Sequence, residues 1–165
     1  MELPIFKFAL VERAKEDKKF LPTRAELCAT GYDVRACLTT PSRKALIIRP
    51  GQYVKIPLGF RAFIPEGWWL ELKPRSSSFA KKNLHCLYGT IDEHYPQEFI
   101  LAAQYLPDIN SMGKDLIIEY GEAIGQLIPV ERQSMVVEEV SNEEIEQLYK
   151  NRPTERSGGF GSTSK

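Results

Sequence analysis

The stretch ALIIRPGQYVKIPLGFRAFIPEGWWLELK, residues 45–73, decides the fold class. Short runs at 45–49, 53–58, 59–64 and 68–73, rich in β-branched and aromatic residues, are cut by Pro50-Gly51 and by Pro65-Glu66-Gly67. Proline presets a turn's φ and glycine reaches positive φ, so these breaks read as turns between strands. Several of the runs alternate apolar with polar side chains, the period of a strand with one buried face.

The same texture extends in both directions. IFKFALV (5–11), YDVRACL (32–38), QEFILAAQY (97–105), DLIIEY (115–120), AIGQLIPV (123–130) and MVVEEV (135–140) all favour strand, with Gly121 marking a further turn. Many short strands at close spacing predict an all-β chain: an antiparallel sandwich, jelly roll or barrel. One short helix is expected over SNEEIEQLYKN (141–151). Ser141 and Glu144 have capping-box spacing, Ile145, Leu148 and Tyr149 share a face, and Pro153 ends it. LPDINSMGK (106–114) reads as an exposed hairpin loop between two strands.

Bulk properties narrow the function. At 165 residues the chain fits one domain with a proper core, and its 22 basic and 22 acidic residues cancel. No global field therefore draws it to nucleic acid or a membrane, and an anionic ligand must be held by local groups. Cys28, Cys37 and Cys86 are odd in number and far apart, which reads as reduced thiols; His85 and His94 are too few for a histidine-built metal centre. The first twenty residues lack a signal-peptide pattern, and no apolar run approaches a membrane span, so a soluble, cytoplasmic protein is expected.

Some segments carry chemistry by composition. KPRSSSFAKKN (73–83) sets an arginine, three serines and two lysines into a turn after an apolar strand. Guanidinium, hydroxyl and backbone N–H groups suit phosphate oxygens, although the same composition suits a solvated turn. In GTIDEHYPQEF (89–99), Asp92 follows an apolar Ile91, as a general base or a strand-end cap would. Asp33, in ATGYDVRA (29–36), needs an arginine or a hydrated metal as partner in apolar surroundings. No phosphate-binding P-loop and no Gly-x-Ser-x-Gly elbow occurs.

Taken in order, ATGYDVRA, PRSSSFAKK, GTIDEHY, GEAIGQLI and RSGGFGSTS resemble the five ordered motifs of the trimeric dUTP pyrophosphatases (dUTPases), from about residue 23 to the last residue. The resemblance implies a jelly-roll-like β domain over residues 1–152 and a flexible Gly-rich arm over 153–165. It implies a homotrimer with active sites at subunit interfaces, and Mg²⁺-dependent cleavage of dUTP to dUMP and pyrophosphate. Asp92 matches the catalytic aspartate. Arg75, Ser76, Ser77 and Gln126 match groups that hold the phosphate chain, and Asp33 one that acts through the metal's water shell. Tyr95 matches the platform under the deoxyribose, and uracil falls in a hairpin from Leu84 to Asp92 that includes Gly89 and Ile91. In the arm, Phe160 matches the uracil-stacking aromatic and Arg156 the terminal-phosphate ligand, with Gly161, Ser162 and Thr163 beside them.

The chain departs from the family pattern in four places. Pro96-Gln97 stand for Arg-Gly, Ala123 for arginine, His94 for an acid, and the fifth motif is one residue shorter between Arg156 and Gly158. Trp68 and Trp69 read as packing residues. Two other readings share the fold: a dCTP deaminase or bifunctional enzyme, and a non-catalytic dUTP-binding paralogue. The deaminase pattern needs arginine where Lys81 stands and a glutamate with no counterpart in FILAAQY.

Overall fold

The computed structural model describes residues 3–38 and 44–152. Strand β1 (Lys7–Leu10) precedes two 3-10 turns at Glu12–Ala14 and Lys18–Phe20, then β2 (Tyr32–Arg35), β3 (Ala45–Ile48), β4 (Tyr53–Pro57), β5 (Phe60–Phe63) and β6 (Trp68–Pro74). Helix α1 (Ser76–Ala80) leads into β7 (Leu84–Cys86), β8 (Gly89–Ile91), β9 (Ile100–Tyr105), β10 (Leu116–Glu119) and β11 (Ala123–Glu131). These elements form one unit ending at Arg132, and a second unit starting at Gln133 carries helix α2 (Asn142–Lys150).

All strand pairs are antiparallel. They form a four-stranded sheet, β2-β11-β6-β8, a three-stranded sheet, β4-β9-β7, and the pairs β1-β5 and β10-β3. One apolar cluster joins the two larger sheets: Val34, Leu70, Leu72 and Leu127 from the first meet Ile56, Leu84 and Leu101 from the second. This is the all-β, jelly-roll-like sandwich expected from the sequence, and no closed barrel is formed among the described residues. Alternation explains the burial: Val54 and Ile56 point inward between exposed Tyr53 and Lys55, as Leu70 and Leu72 do between Trp69, Glu71 and Lys73. Phe60 sits edge-on to Phe8, ring centroids 5.7 Å apart, and tilted against Phe99 at 5.2 Å. Each such buried ring or aliphatic chain stabilises the fold by about 1.5–3 kcal/mol through apolar area removed from water. Trp68 packs edge-on against Phe6, at 6.0 Å, as a packing residue should.

Several expectations are corrected. MVVEEV (135–140) is not a strand: Met135, Val136 and Val137 are exposed and join no ladder among the described residues. Strand propensity reports fit to a half-buried pleated surface, and no such surface covers these side chains. The 106–114 loop is not a hairpin, because β9 pairs with β4 while β10 pairs with β3. It is a crossover, stiffened where Asp108 Oδ1 accepts from the N–H groups of Asn110 (3.1 Å) and Ser111 (3.0 Å). Residues 84–92 do not form a two-stranded hairpin either. β7 pairs with β9 and β8 with β6, so Leu87 and Tyr88 cross between sheets with exposed side chains. The serine turn is helical: Ser78 is buried and donates to Ile124 O (2.7 Å), which also accepts from Arg75 N (3.2 Å), pinning α1 to β11. Helix α2 is capped as expected, with Ser141 Oγ accepting from Glu144 N (3.1 Å).

Gly59 joins β4 to β5 at φ +84°, where an added Cβ would lie 2.8 Å from Cys37 Cβ and Sγ. Alanine there is both strained in φ and clashing, so Gly59→Ala should lower stability by about 2 kcal/mol or more. Urea denaturation measures this, and an unshifted midpoint would show that the Cys37 contact relaxes without cost.

Candidate active site

Strand register lines up three polar side chains across the first sheet. Gln126 on β11 lies opposite Asp33 on β2 and opposite Lys73 on β6. Their neighbours Val34, Leu127 and Leu72 are buried, so period-2 alternation turns Asp33, Gln126 and Lys73 to the other face. Just past Lys73 the chain enters α1, and Arg75 Nε reaches back to within 3.4 Å of Asp33 Oδ1. Lys73 is held by Glu71 at 3.0 Å, which leaves Arg75 beside Asp33 and Gln126. The Gln126 amide donates to Pro74 O at 3.3 Å. Gly31 gives it room, since an added Cβ would sit 2.1 Å from Gln126 Oε1.

Arg75, Gln126, Lys73 and Glu71 border an open groove of about 660 Å³ that also includes Ser76 and Tyr88, with Asp33 behind Arg75. Ser76 is exposed and Ser77 half-buried, while Ser78 is committed to the fold. The groove thus presents a guanidinium, hydroxyls and an amide, a donor set suited to phosphate oxygens.

Asp92 lies elsewhere in the same chain. In the β6–β8 ladder, Gly89 faces Leu72 and Ile91 faces Leu70, so Asp92 falls opposite Trp69, six residues along β6 from Arg75. At about 3.3 Å per residue, that is roughly 20 Å. Asp33, Arg75, Ser76 and Gln126 are brought together; Asp92 and Tyr95 are not brought to them.

Asp92 and Tyr95 instead share a turn, closed by Tyr95 N–H donating to Asp92 O at 3.1 Å. The Tyr95 ring packs against Phe99 at 5.9 Å, and the turn borders a second groove of about 470 Å³ with Phe8, Arg61 and Phe63. Two carboxylates that sequence reasoning did not single out brace this segment. Glu93 Oε2 accepts from Gly67 N (2.9 Å) and its Oε1 lies 3.0 Å from Arg132 Nη1. Glu98 takes a two-pronged contact from Arg13 and accepts from Gly59 N (2.9 Å), while its carbonyl accepts from the Tyr95 hydroxyl (3.4 Å). Partners 26 to 85 residues away leave no local signal of these contacts. The donated Gly67 N–H, then Arg132, hold the Glu93 carboxyl below its ordinary range. Arg156, Phe160, Gly161 and Ser162 lie outside the described residues.

The dUTPase family model matches residues 17–164. The chain belongs to the dUTPase family. A deoxyuridine 5'-triphosphate nucleotidohydrolase of Hydrogenobaculum sp. (strain Y04AAS1) is 33% identical over 156 residues, covering 93% of this chain and 96% of the relative. Among solved structures, a mutant dUTPase of Staphylococcus bacteriophage 80alpha with dUpNHpp superposes with TM-score 0.73 at 19% identity, covering 96% of this chain and 98% of that one. A mutant dUTPase of phage phi11 of S. aureus, described as coordinating a structural Mg(II) ion, does so with TM-score 0.67 at 18% identity, over 84% and 97%. At these identities the two structures establish the dUTPase fold. Among the described residues no group of three or more His, Cys, Asp or Glu converges, and no helix is long and apolar enough to cross a membrane.

A carboxyl held below its ordinary value contributes stability above that value and loses it as pH falls through the lower, folded one. For Glu93 the ordinary value is 4.5. Glu93→Gln should therefore flatten the acid-side loss of stability below about pH 4.5, as read from urea midpoints between about pH 7 and pH 3. Identical acid profiles for the two proteins would remove any role of the Glu93 charge in stability.

Proposed function

We propose that this dUTPase-family chain hydrolyses dUTP to dUMP and pyrophosphate, keeping uracil out of DNA and supplying dUMP for dTMP synthesis in the cytoplasm. The observation that carries this reading is the Asp33, Gln126 and Arg75 face. There Arg75 and Gln126 offer phosphate donors in a groove, with Asp33 holding Arg75, within a chain whose relatives are named for dUTP hydrolysis. The phage 80alpha enzyme's complex with dUpNHpp supports the substrate class.

The site is completed between chains of a homotrimer. The separation of roughly 20 Å along β6 is too long for one chain's Asp92 to reach an α-phosphate held by its own Arg75, Ser76, Ser77 and Gln126. A neighbouring subunit's Asp92 and Tyr95 would fill that place, with Gly89 and Ile91 framing the base. Residues 153–165 act as the arm, with Phe160 over uracil, Arg156 at the terminal phosphate, and Gly161 and Ser162 donating to the phosphate chain. Residues 1–152 form the β domain that carries it.

Magnesium fits this donor set in a limited way. Asp33 faces Arg75 and Glu71 is paired with Lys73, and among the described residues no group of three or more metal-ligating side chains converges, so no all-carboxylate cage is present among them. A hydrated Mg²⁺ held by phosphate oxygens, with Asp33 reaching its waters, suits such a site. When bound it supplies charge neutralisation on the triphosphate. The chain's own work is positional and basic. Arg75, Ser76, Ser77 and Gln126 hold the phosphates. Tyr95 packs under the deoxyribose and leaves no room for a 2′-hydroxyl. Asp92 takes the proton of the water that attacks the α-phosphorus in line, and pyrophosphate leaves.

With Mg²⁺, the protein should release pyrophosphate from dUTP, with dTTP and UTP poor substrates. Ammonia release from dCTP, or tight dUTP binding without hydrolysis, would overturn the reaction. Asp92→Asn should bind dUTP yet lose turnover by about 10²-fold or more. Asp92→Asn and Arg75→Ala, each inactive alone, should regain activity when co-assembled, because random mixing leaves about a quarter of interfaces with both partners intact. No recovery in mixed trimers would place the whole site within one chain.

A further inference from the structure

The turn that carries Asp92 and Tyr95 is fixed at one corner by a closed ring of contacts. Its corner residues are Glu93 and His94, and they differ sharply: the His94 side chain is 93% exposed and that of Glu93 is 13% exposed. Both Glu93 carboxylate oxygens are engaged, one by Gly67 N–H at 2.9 Å and the other by Arg132 Nη1 at 3.0 Å. The ring closes through the backbone, because Arg132 N–H donates to Gly67 O at 2.7 Å. Gly67 stands at φ +80° in the turn between β5 and β6, and Arg132 directly follows β11. Three separate parts of the chain therefore meet on one carboxylate.

An exposed ion pair between two long side chains contributes little, because both must be immobilised. Here one partner is a backbone N–H, and the guanidinium is tethered by its own main chain to the same turn, so little freedom remains to be lost. Among the described residues the Asp92 carboxylate has no hydrogen-bond partner of its own. Its direction follows from the turn, which Glu93 anchors at one end and the Tyr95 ring, on Phe99, at the other. Tyr95 inherits the same placement through its N–H bond to Asp92 O.

We propose that Glu93 and Arg132 are a positioning pair for dUTP cleavage, setting where Asp92 meets the attacking water and how Tyr95 lies under the sugar. This rests on the reading of Asp92 as base and Tyr95 as platform. The contacts of the pair are with the turn and with Gly67, and it acts through the turn. Displacing a reacting group by about 1 Å costs on the order of 10²-fold in rate, so the effect falls on kcat.

The test is steady-state dUTP hydrolysis by the full-length trimer, with sites counted by dUpNHpp binding and folding checked by circular dichroism and urea midpoints. Glu93→Ala and Arg132→Met should lower kcat by about 10- to 100-fold, with KM for dUTP changed less than about threefold. Glu93→Gln keeps an acceptor for Gly67 N–H and should lose less. Arg132→Lys, which keeps the charge, should recover most of the rate. The Glu93→Ala/Arg132→Met double variant should be no slower than the worse single, since the two act as a unit. Values of kcat per site within twofold of the parent in Glu93→Ala and Arg132→Met would overturn the proposal. So would losses that only track the fraction of folded protein, or additive losses in the double variant. Asp92→Asn in the same assay separates the two readings: if it retains turnover, the base assignment fails; if it is inactive while the pair is neutral, positioning alone fails.

Discussion

Strand β11 is hydrogen-bonded along both edges, to β2 on one side and β6 on the other, and its register with both is fixed by which face is buried. Ile124 and Leu127 must enter the core, and a slip of one residue would turn every side chain over. That constraint puts Gln126 between Asp33 and Lys73, and the end of β6 then delivers Arg75 to Asp33. The irregularity between Ala123 and Gly125 falls in the same strand, where a Cβ added at Gly125 would lie 3.0–3.6 Å from Lys73 O, Val34 and Leu101. A larger residue there would push the flanking strands apart. The face that carries Asp33, Gln126 and Arg75 follows from core packing on the reverse side of one strand.

The opposite end of β6 is organised differently. There the Asp92–Tyr95 segment is a turn rather than a strand, and its apolar anchor is the Tyr95 ring against Phe99. Two carboxylates add to that packing. Glu93 is held by Gly67 and Arg132, and Glu98 by Arg13 and Gly59. Charge-assisted bonds to backbone N–H and guanidinium groups are directional where apolar packing is not. The Asp92–Tyr95 turn can therefore be exposed and still hold its shape. Glycines at positive φ, Gly59 and Gly67, present the two backbone donors, which ties both braces to the turns that flank β5.

Legibility in the sequence tracked the range of the forces involved. Strands such as 53–57 and 68–74 were readable because alternation and turn chemistry are local. So was the cap of α2, where Ser141 and Glu144 lie one turn apart. MVVEEV has the side chains of a strand and lacks a neighbouring ladder among the described residues, so propensity without a partner misled. The serine segment carried three similar side chains with different fates, which local composition cannot sort. Burial of the Ser78 hydroxyl against Ile124, 46 residues away, makes it structural and leaves Ser76 exposed. The pairing of β7 and β8 with different strands likewise depends on β9 and β6, both far along the chain or already committed.

By itself the sequence determined the all-β class, most strand positions, the family and the residues whose chemistry suits a triphosphate, because each is written in side-chain type and short-range order. Tertiary structure decided which of them meet. Register brings Asp33, Arg75 and Gln126 to one face, while the same ladder holds Asp92 roughly 20 Å away along β6. It also decided what steadies Asp92, since Glu93, Gly67 and Arg132 come together only when three distant turns are folded against one another. Distance along a strand and closure of long loops are properties of the folded chain, set by packing that no local window contains.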